Sequence, residues 1–139
     1  MKVRFIPAIL AAMLFATAAN AATSWDLSLF QKESTLQFFT VNASGDEHWS
    51  TVWVVVIDGA PYVRLGQGST DRINGNTKAP YVNIKIGDQE FDHVTAQSVP
   101  EMRDKVMAAM RDKYWMDFTV RYSNHPLIMR LVQTPAAQP

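Results

Sequence analysis

The chain contains no cysteine among its 139 residues. It therefore has no disulfide framework, and no thiolate is available for catalysis or metal binding. Its fold must depend on an apolar core, for which it has four tryptophans, seven phenylalanines and four tyrosines. A chain of this length is sufficient for one domain with one core.

An excess of charge of one sign is also lacking, because thirteen basic residues balance thirteen acidic ones. This balance gives no electrostatic footprint for nucleic acid. No block of like charge indicates a membrane-surface patch either. We therefore expect no nucleic-acid partner.

Sequence motifs for nucleophilic or metal-dependent catalysis are absent too. There is no Gly-x-Ser-x-Gly and no His-Glu-x-x-His sequence. His48, His93 and His125 fall in three different predicted elements, so a metal site would require them to converge in the folded chain. We predict no metal site, and the sequence assigns no catalytic residue.

The first 21 residues have the three-part pattern of a secretory signal peptide. Lys2 and Arg4 precede the apolar run Ile6–Ala19, and Ala19-Asn20-Ala21 is a small-x-small cleavage site. The run is too short for a comfortable membrane span, although an uncleaved N-terminal anchor is the alternative. We predict a signal peptide over 1–21, a single domain over 22–134 and a disordered tail over 135–139. The expected location is periplasmic or secreted, without stable membrane insertion after cleavage.

The centre of the chain predicts a buried hairpin. Thr51–Ile57 is apolar on both faces, which is typical of a strand covered on both sides. Asp58-Gly59 is a strong two-residue turn signal. Pro61 places the next strand, Tyr62–Leu65, near a sheet edge or after a bulge.

Short strands joined by turns surround this hairpin, and one long helix is expected from the capping-box sequence Ser98–Glu101 to about Tyr114. The predicted order is β-β-β-loop-β-β-α-β. The fold class is therefore mainly β with one long helix (α+β), a small antiparallel barrel closed by a helix.

The loop Gly66–Pro80 combines glycines, hydroxyls and basic side chains. Such a loop can hold a phosphate through backbone amides, hydroxyls and guanidinium groups. The alternative is a solvated loop whose basic residues face water. The candidate residues are Arg64, Ser69, Thr70, Arg72 and Lys78.

The segment Trp49–Leu65, WSTVWVVVIDGAPYVRL, resembles the second and third strands of FMN-binding split β-barrels. That superfamily includes the pyridoxamine-phosphate-oxidase-like proteins and, nearest in pattern, the deazaflavin-dependent nitroreductase-like branch. Thr70-x-Arg72, with Pro80 eight residues further on, is similar to the family's Ser/Thr-x-Lys/Arg pair and following proline. The resemblance implies a small split β-barrel.

The resemblance also implies a function: a homodimer that binds FMN or a deazaflavin between its subunits and transfers hydride to a small organic substrate. Carried over residue by residue, it assigns the phosphate to Thr70 and Arg72, with Arg64 and Ser69 adjacent. Trp53 and Thr51 would flank the flavin ring. The alternative is a non-catalytic periplasmic ligand-binding or interaction module on the same barrel.

Overall fold

The computed structural model describes residues 25–117 and 123–133. The predicted signal peptide and the predicted tail over 135–139 lie outside these residues. Within them, six antiparallel strands form a closed barrel in the order β1-β2-β3-β6-β5-β4. The strands are β1 (Thr35–Val41), β2 (Glu47–Ile57), β3 (Ala60–Leu65), β4 (Tyr81–Ile86), β5 (Gln89–Ser98) and β6 (Leu127–Gln133). The predicted fold class, a small antiparallel split β-barrel, is confirmed.

Three short helices accompany the barrel in the described part of the chain: α1 (Leu27–Lys32), α2 (Gln67–Asn74) and α3 (Arg103–Lys113). A 3-10 turn, Pro100–Met102, leads into α3. None of these helices is long and apolar enough to cross a bilayer. The predicted capping box is wrong, because no side chain caps the 3-10 turn or α3.

Strand β2 is buried on both faces, as its composition predicts. Val52 and Val54 point into the barrel and join its core. Val55 points outward and packs with Val106 and Met110 of α3 in a second apolar cluster. This double coverage explains why the strand lacks the usual alternation of apolar and polar residues.

One end of the barrel is closed by α1. Phe30 of this helix is fully buried in the barrel core. Asp26 accepts hydrogen bonds from the Ser28 hydroxyl at 2.7 Å and from the Ser28 amide at 2.9 Å, which caps the helix, and these two contacts lower the Asp26 pKa.

The edge position predicted for the strand after Pro61 is wrong. Strand β3 lies inside the closed barrel, between β2 and β6. Pro61 pairs with Val56 of β2, while the ladder to β6 begins only at Tyr62. The missing proline N–H therefore removes no hydrogen bond from the β3–β6 ladder.

The segment predicted as a loop, Gly66–Pro80, contains helix α2. The helix has eight residues, Gln67–Asn74. Gly66 precedes the helix in an extended conformation, and the Thr70 amide donates to the Gly66 carbonyl at 2.9 Å. This helix sets the positions of Ser69, Thr70 and Arg72, which are three of the candidate phosphate-binding residues.

Candidate cofactor cleft

Four of the six predicted cofactor-binding residues line one cleft beside the barrel. Thr51 and Trp53 come from β2, Arg64 from β3 and Ser69 from the first turn of α2. The cleft has a volume of about 330 Å³, within the range of small-molecule sites. Its remaining lining residues are Thr35, Val52, Gly66 and His125. We call it the Arg64 cleft.

Arg64 is buried and ion-paired. Its Nη2 atom lies 2.7 Å from Oδ1 of Asp117, and both side chains are only 2% exposed. Its Nη1 atom lies 3.3 Å from the Met107 sulfur, and its guanidinium lies 5.5 Å from the Trp53 ring centroid. Because a buried arginine without its partner charge is strongly unfavourable, Asp117 fixes Arg64 in place. Asp117 was not identified by the sequence analysis.

Trp53 is held by a ring stack. Its ring lies parallel to that of Tyr114, with centroids 4.1 Å apart and an interplanar angle of 7°. The Tyr114 hydroxyl accepts from the Val54 amide at 3.0 Å. Burial raises the pKa of Tyr114, so this hydroxyl stays protonated at neutral pH. The Trp53 ring is therefore a rigid apolar wall for the cleft.

The N-terminus of α2 opens at the same cleft through Gly66 and Ser69. No side chain caps this end of the helix. The first amides of a helix have no partner within it and carry a partial positive charge. Helix α2 thus begins at the cleft that Arg64 also lines, an arrangement suited to an anionic group.

His125, which precedes Pro126, also lines the cleft. Its pKa is lowered by burial, and then by the charge of Arg64. The ring is therefore neutral at pH 7. Nothing in the local sequence indicated this position, because the histidine is brought to the cleft by the chain that leads into β6.

The other two predicted residues, Thr70 and Arg72, are not in this cleft. Thr70 is buried and its hydroxyl lies 3.5 Å from the Leu65 carbonyl. Arg72 lines a separate cavity of about 440 Å³ together with Asp46, Glu47 and Asp71. Ser69 and Arg72 are only one helical turn apart in α2, yet they line different cavities, which the sequence did not indicate.

The three histidines are dispersed. His48 lines the Arg72 cavity, His125 lines the Arg64 cleft, and His93 stacks on Tyr81 with centroids 4.1 Å apart. Among residues 25–117 and 123–133, no group of three or more His, Cys, Asp or Glu side chains is arranged to hold a metal ion. The three histidines therefore do not converge on one site.

Comparison with known proteins relates the chain to solved structures only. No protein-family model matches it, and no curated protein sequence matches it significantly. The heme storage protein HutZ from Vibrio cholerae is 20% identical, with a TM-score of 0.60 over 78% of this chain and 87% of that one. The chain has the split β-barrel fold.

Two further structures support the same fold. An F420-H2-dependent reductase, FDR-A, is 16% identical, with a TM-score of 0.52 over 70% of this chain and 93% of that one. An FAD-binding protein from Mesorhizobium loti is 9% identical, with a TM-score of 0.53 over 78% and 86%. Identities this low establish a common architecture, so the resemblance seen in the sequence is confirmed for the fold.

Proposed function

We propose that this protein binds a flavin, FMN or a deazaflavin, in the Arg64 cleft and acts as an exported oxidoreductase. The observation that carries the proposal is the convergence of Thr51, Trp53, Arg64 and Ser69 on one cleft. The names of solved relatives, an F420-H2-dependent reductase and an FAD-binding protein, agree with a flavin-type cofactor.

The cleft offers one feature for each part of such a cofactor. The N-terminus of α2 and Ser69 suit the phosphate, because unpaired amides and a hydroxyl are donors to its oxygens. The rigid Trp53 wall suits the planar ring. A bound flavin would supply hydride transfer to a small organic substrate; the role of these residues is to bind and orient it.

The roles of Thr70 and Arg72 differ in this proposal from those implied by the family resemblance. Thr70 is turned into the protein, so we assign it to the packing of α2 against β3. Arg72 faces the other cavity and could reach a phosphate in the Arg64 cleft only by changing its side-chain conformation. We therefore assign phosphate binding to Ser69 and the α2 amides, with Arg64 beside them.

We also propose that the protein is a homodimer and that the flavin lies between two copies. The outward residues of β2 include Trp49, Thr51 and Trp53 in alternation, so the open side of the cleft continues onto the barrel surface. Phe39 packs on Trp49 with ring centroids 5.0 Å apart, and Lys85 lies 4.0 Å above the Trp49 ring. A second copy on this aromatic surface would cover the cleft.

Export to the periplasm or the medium is proposed from the N-terminal pattern of Lys2, Arg4 and the Ala19-Asn20-Ala21 site. A secreted or periplasmic product with the mass of a chain starting at Ala22 supports it. A product that retains Met1 contradicts it.

Ser69→Asp tests the phosphate position without removing a structural contact. An aspartate in the first turn of α2 should stabilise the helix by about 0.3–1 kcal/mol, while its charge repels a phosphate. We expect at least a tenfold loss of FMN affinity in a fluorescence titration, with an unchanged or higher melting temperature. Ser44→Asp, in the exposed β1–β2 turn, is the matched control. Equal FMN affinity in both variants would contradict the assignment.

A non-catalytic ligand-binding module on the same barrel is the second candidate. It is favoured by the ion pair of Arg64 with Asp117, which already neutralises the cation of the cleft. The two candidates differ in turnover: the oxidoreductase passes electrons from the reduced flavin to a nitroaromatic acceptor faster than free flavin does. A flavin-loaded protein with no such acceleration supports the binding module.

A further inference from the structure

The Arg72 cavity, of about 440 Å³, has no lining residue in common with the Arg64 cleft. It lies between the β1–β2 turn and helix α2. The charged or hydroxyl-bearing residues on its walls are Thr40 of β1, Asp46 and Glu47 where β2 begins, and Asp71 and Arg72 of α2. Three carboxylates and one guanidinium therefore line a single cavity.

The opposite charges of this cavity are not paired with one another. In the described part of the chain, no ion pair joins Arg72 to a carboxylate of the cavity. The carboxylates of Asp46 and Asp71 accept hydrogen bonds from neutral side-chain amides, at 3.2 and 2.8 Å. The side chains of Arg72 and Glu47 have no hydrogen-bond partner among the described residues. A ligand with charges of both signs could bridge the two sides.

Thr40 provides a second, independent indication of a ligand. It is only 3% exposed, and its hydroxyl makes no hydrogen bond within residues 25–117 and 123–133. The fully buried side-chain atoms without a partner in those residues belong to Ser50, Asp117 and His125, so the Thr40 oxygen keeps some accessible surface. Because Thr40 lines the Arg72 cavity, a molecule there can reach this unpaired hydroxyl.

The walls of the cavity are held by hydrogen bonds within the protein. In the β1–β2 turn, the side-chain oxygen of Asn42 accepts from the amides of Ser44 and Asp46, both at 2.9 Å. After α2, the Thr77 hydroxyl donates to the Val41 carbonyl of β1 at 2.9 Å. Fixed walls reduce the ordering cost that binding would otherwise include.

We propose that the Arg72 cavity binds a dibasic α-amino acid, a molecule with one carboxylate and two ammonium groups. The Arg72 guanidinium matches the carboxylate, because this pair forms charge-assisted and often bidentate hydrogen bonds. Three carboxylates against one guanidinium leave an excess of negative charge, which matches two ammonium groups rather than one. The Thr40 hydroxyl adds a neutral hydrogen-bonding group. This site goes beyond the proposed flavin function and does not depend on it.

L-lysine is the probe, and two analogues each lack one of its charged groups. Cadaverine lacks the carboxylate, and L-norleucine lacks the second ammonium group. In calorimetric titrations at low ionic strength, where exposed charges are screened least, L-lysine should bind at least about tenfold more tightly than either analogue. The proposal is overturned if L-lysine shows no saturable binding. Equal affinity for cadaverine overturns it too, since the cavity would then attract any organic cation, and equal affinity for L-norleucine excludes a dibasic ligand.

Arg72→Gln tests the carboxylate contact without removing a bond of the fold, because Arg72 has no partner in the described part of the chain. We expect the affinity for L-lysine to fall about tenfold and the preference over cadaverine to disappear. Arg111→Gln, at an exposed position of α3, is the matched control and should bind L-lysine like wild type. Equal affinities in the two variants would overturn the proposal.

Thr40→Val gives a result that distinguishes ligand binding from a structural role. Valine keeps the shape of threonine but has no hydroxyl, so the affinity for L-lysine should fall about fivefold. The melting temperature should stay unchanged or rise, because an unpaired buried polar group is removed. Unchanged affinity or a lower melting temperature would overturn this role of Thr40.

FMN titrations of the same variants separate this inference from the proposed function. Neither Thr40 nor Arg72 lines the Arg64 cleft, so both variants should bind FMN like wild type. If wild type binds no flavin but shows the expected preference for L-lysine, the flavin proposal alone fails. A loss of FMN affinity in Arg72→Gln, with L-lysine binding unchanged, would assign Arg72 to the flavin phosphate and overturn the inference.

Discussion

At the scale of single residues, Lys113 shows how the protein joins its helices to the barrel. Its Nζ atom donates to the carbonyls of Phe30 at 2.9 Å, Glu33 at 2.9 Å and Val54 at 2.7 Å. Three acceptors match the three hydrogens of one ammonium group. Burial lowers the Lys113 pKa, and the charge of Glu33 opposes this effect.

We expect Lys113→Met to lower the free energy of unfolding by about 3 kcal/mol, because hydrogen bonds to a charged group are lost and buried carbonyls are left without donors. Chemical denaturation measures the change. Lys105→Met, at an exposed position of the same helix, is the control and should shift stability by less than about 0.5 kcal/mol. Equal effects in the two variants would show that Lys113 does not connect α3 to α1 and β2.

The sequence predicted some site residues and missed others for identifiable reasons. Trp53 and Arg64 were assigned to one site by the family resemblance, and both line the Arg64 cleft. Asp117 and His125 were missed because they approach Arg64 across 53 and 61 positions of sequence, and only tertiary structure brings them together. Their contribution to cofactor binding stays a prediction.

At the scale of elements, helix α2 is the main difference between the sequence prediction and the structure. Gly66, Gly68, Ser69 and Thr70 are weak helix formers, so the local sequence favours a loop. The structure overrides this preference by burying Thr70 against β3. Strands were easier to predict: β2 contains a continuous apolar run that ends at an Asp-Gly turn, and β4 alternates with a period of two.

Two glycine substitutions test the β2–β3 turn and helix α2. Asp58 and Gly59 both have positive φ, of 50° and 81°, so Gly59→Ala should destabilise the β2–β3 turn by about 1–2 kcal/mol. No atom lies within 4 Å of the added Cβ, so the effect is conformational. Gly68→Ala, in contrast, should stabilise the protein by about 0.5 kcal/mol, because alanine favours a helix.

Thermal unfolding of Gly59→Ala and Gly68→Ala measures the change in stability that each substitution causes. The Gly68 Cβ would lie 3.5 Å from the Arg72 side chain, which is ordinary contact. If Gly68→Ala destabilises the protein as much as Gly59→Ala does, the helical assignment of α2 is wrong.

At the scale of the whole molecule, the closed barrel is the scaffold, and the candidate binding surfaces lie on its outside. The interior is filled by apolar side chains, so a ligand must bind outside the barrel. The Arg64 cleft and the aromatic surface around Trp49 lie on adjoining parts of that outer surface. The sequence predicted the barrel from strand number and turn spacing, but strand closure through the β1–β4 pair depends on contacts far apart in the chain.

If the dimer forms as proposed, substitutions of Trp49 and of Trp115 should have different effects on the oligomeric state. Trp49→Lys should convert the protein to a monomer in light scattering, because a charge would be buried in the interface and would lie beside Lys85. Trp115→Lys is the control, since Trp115 is 80% exposed just after α3. A Trp49→Lys protein that keeps the oligomeric state of wild type contradicts the proposed interface.

The measurement that tests the central claim most directly is an equilibrium titration of the purified protein with FMN and with F420, followed by flavin fluorescence and thermal unfolding. We expect saturable binding of one cofactor per chain, with a stabilisation of about 2.7 kcal/mol at a ligand concentration one hundred times the Kd. A protein that neither changes the fluorescence of either cofactor nor gains thermal stability from them would contradict a flavin site in the Arg64 cleft.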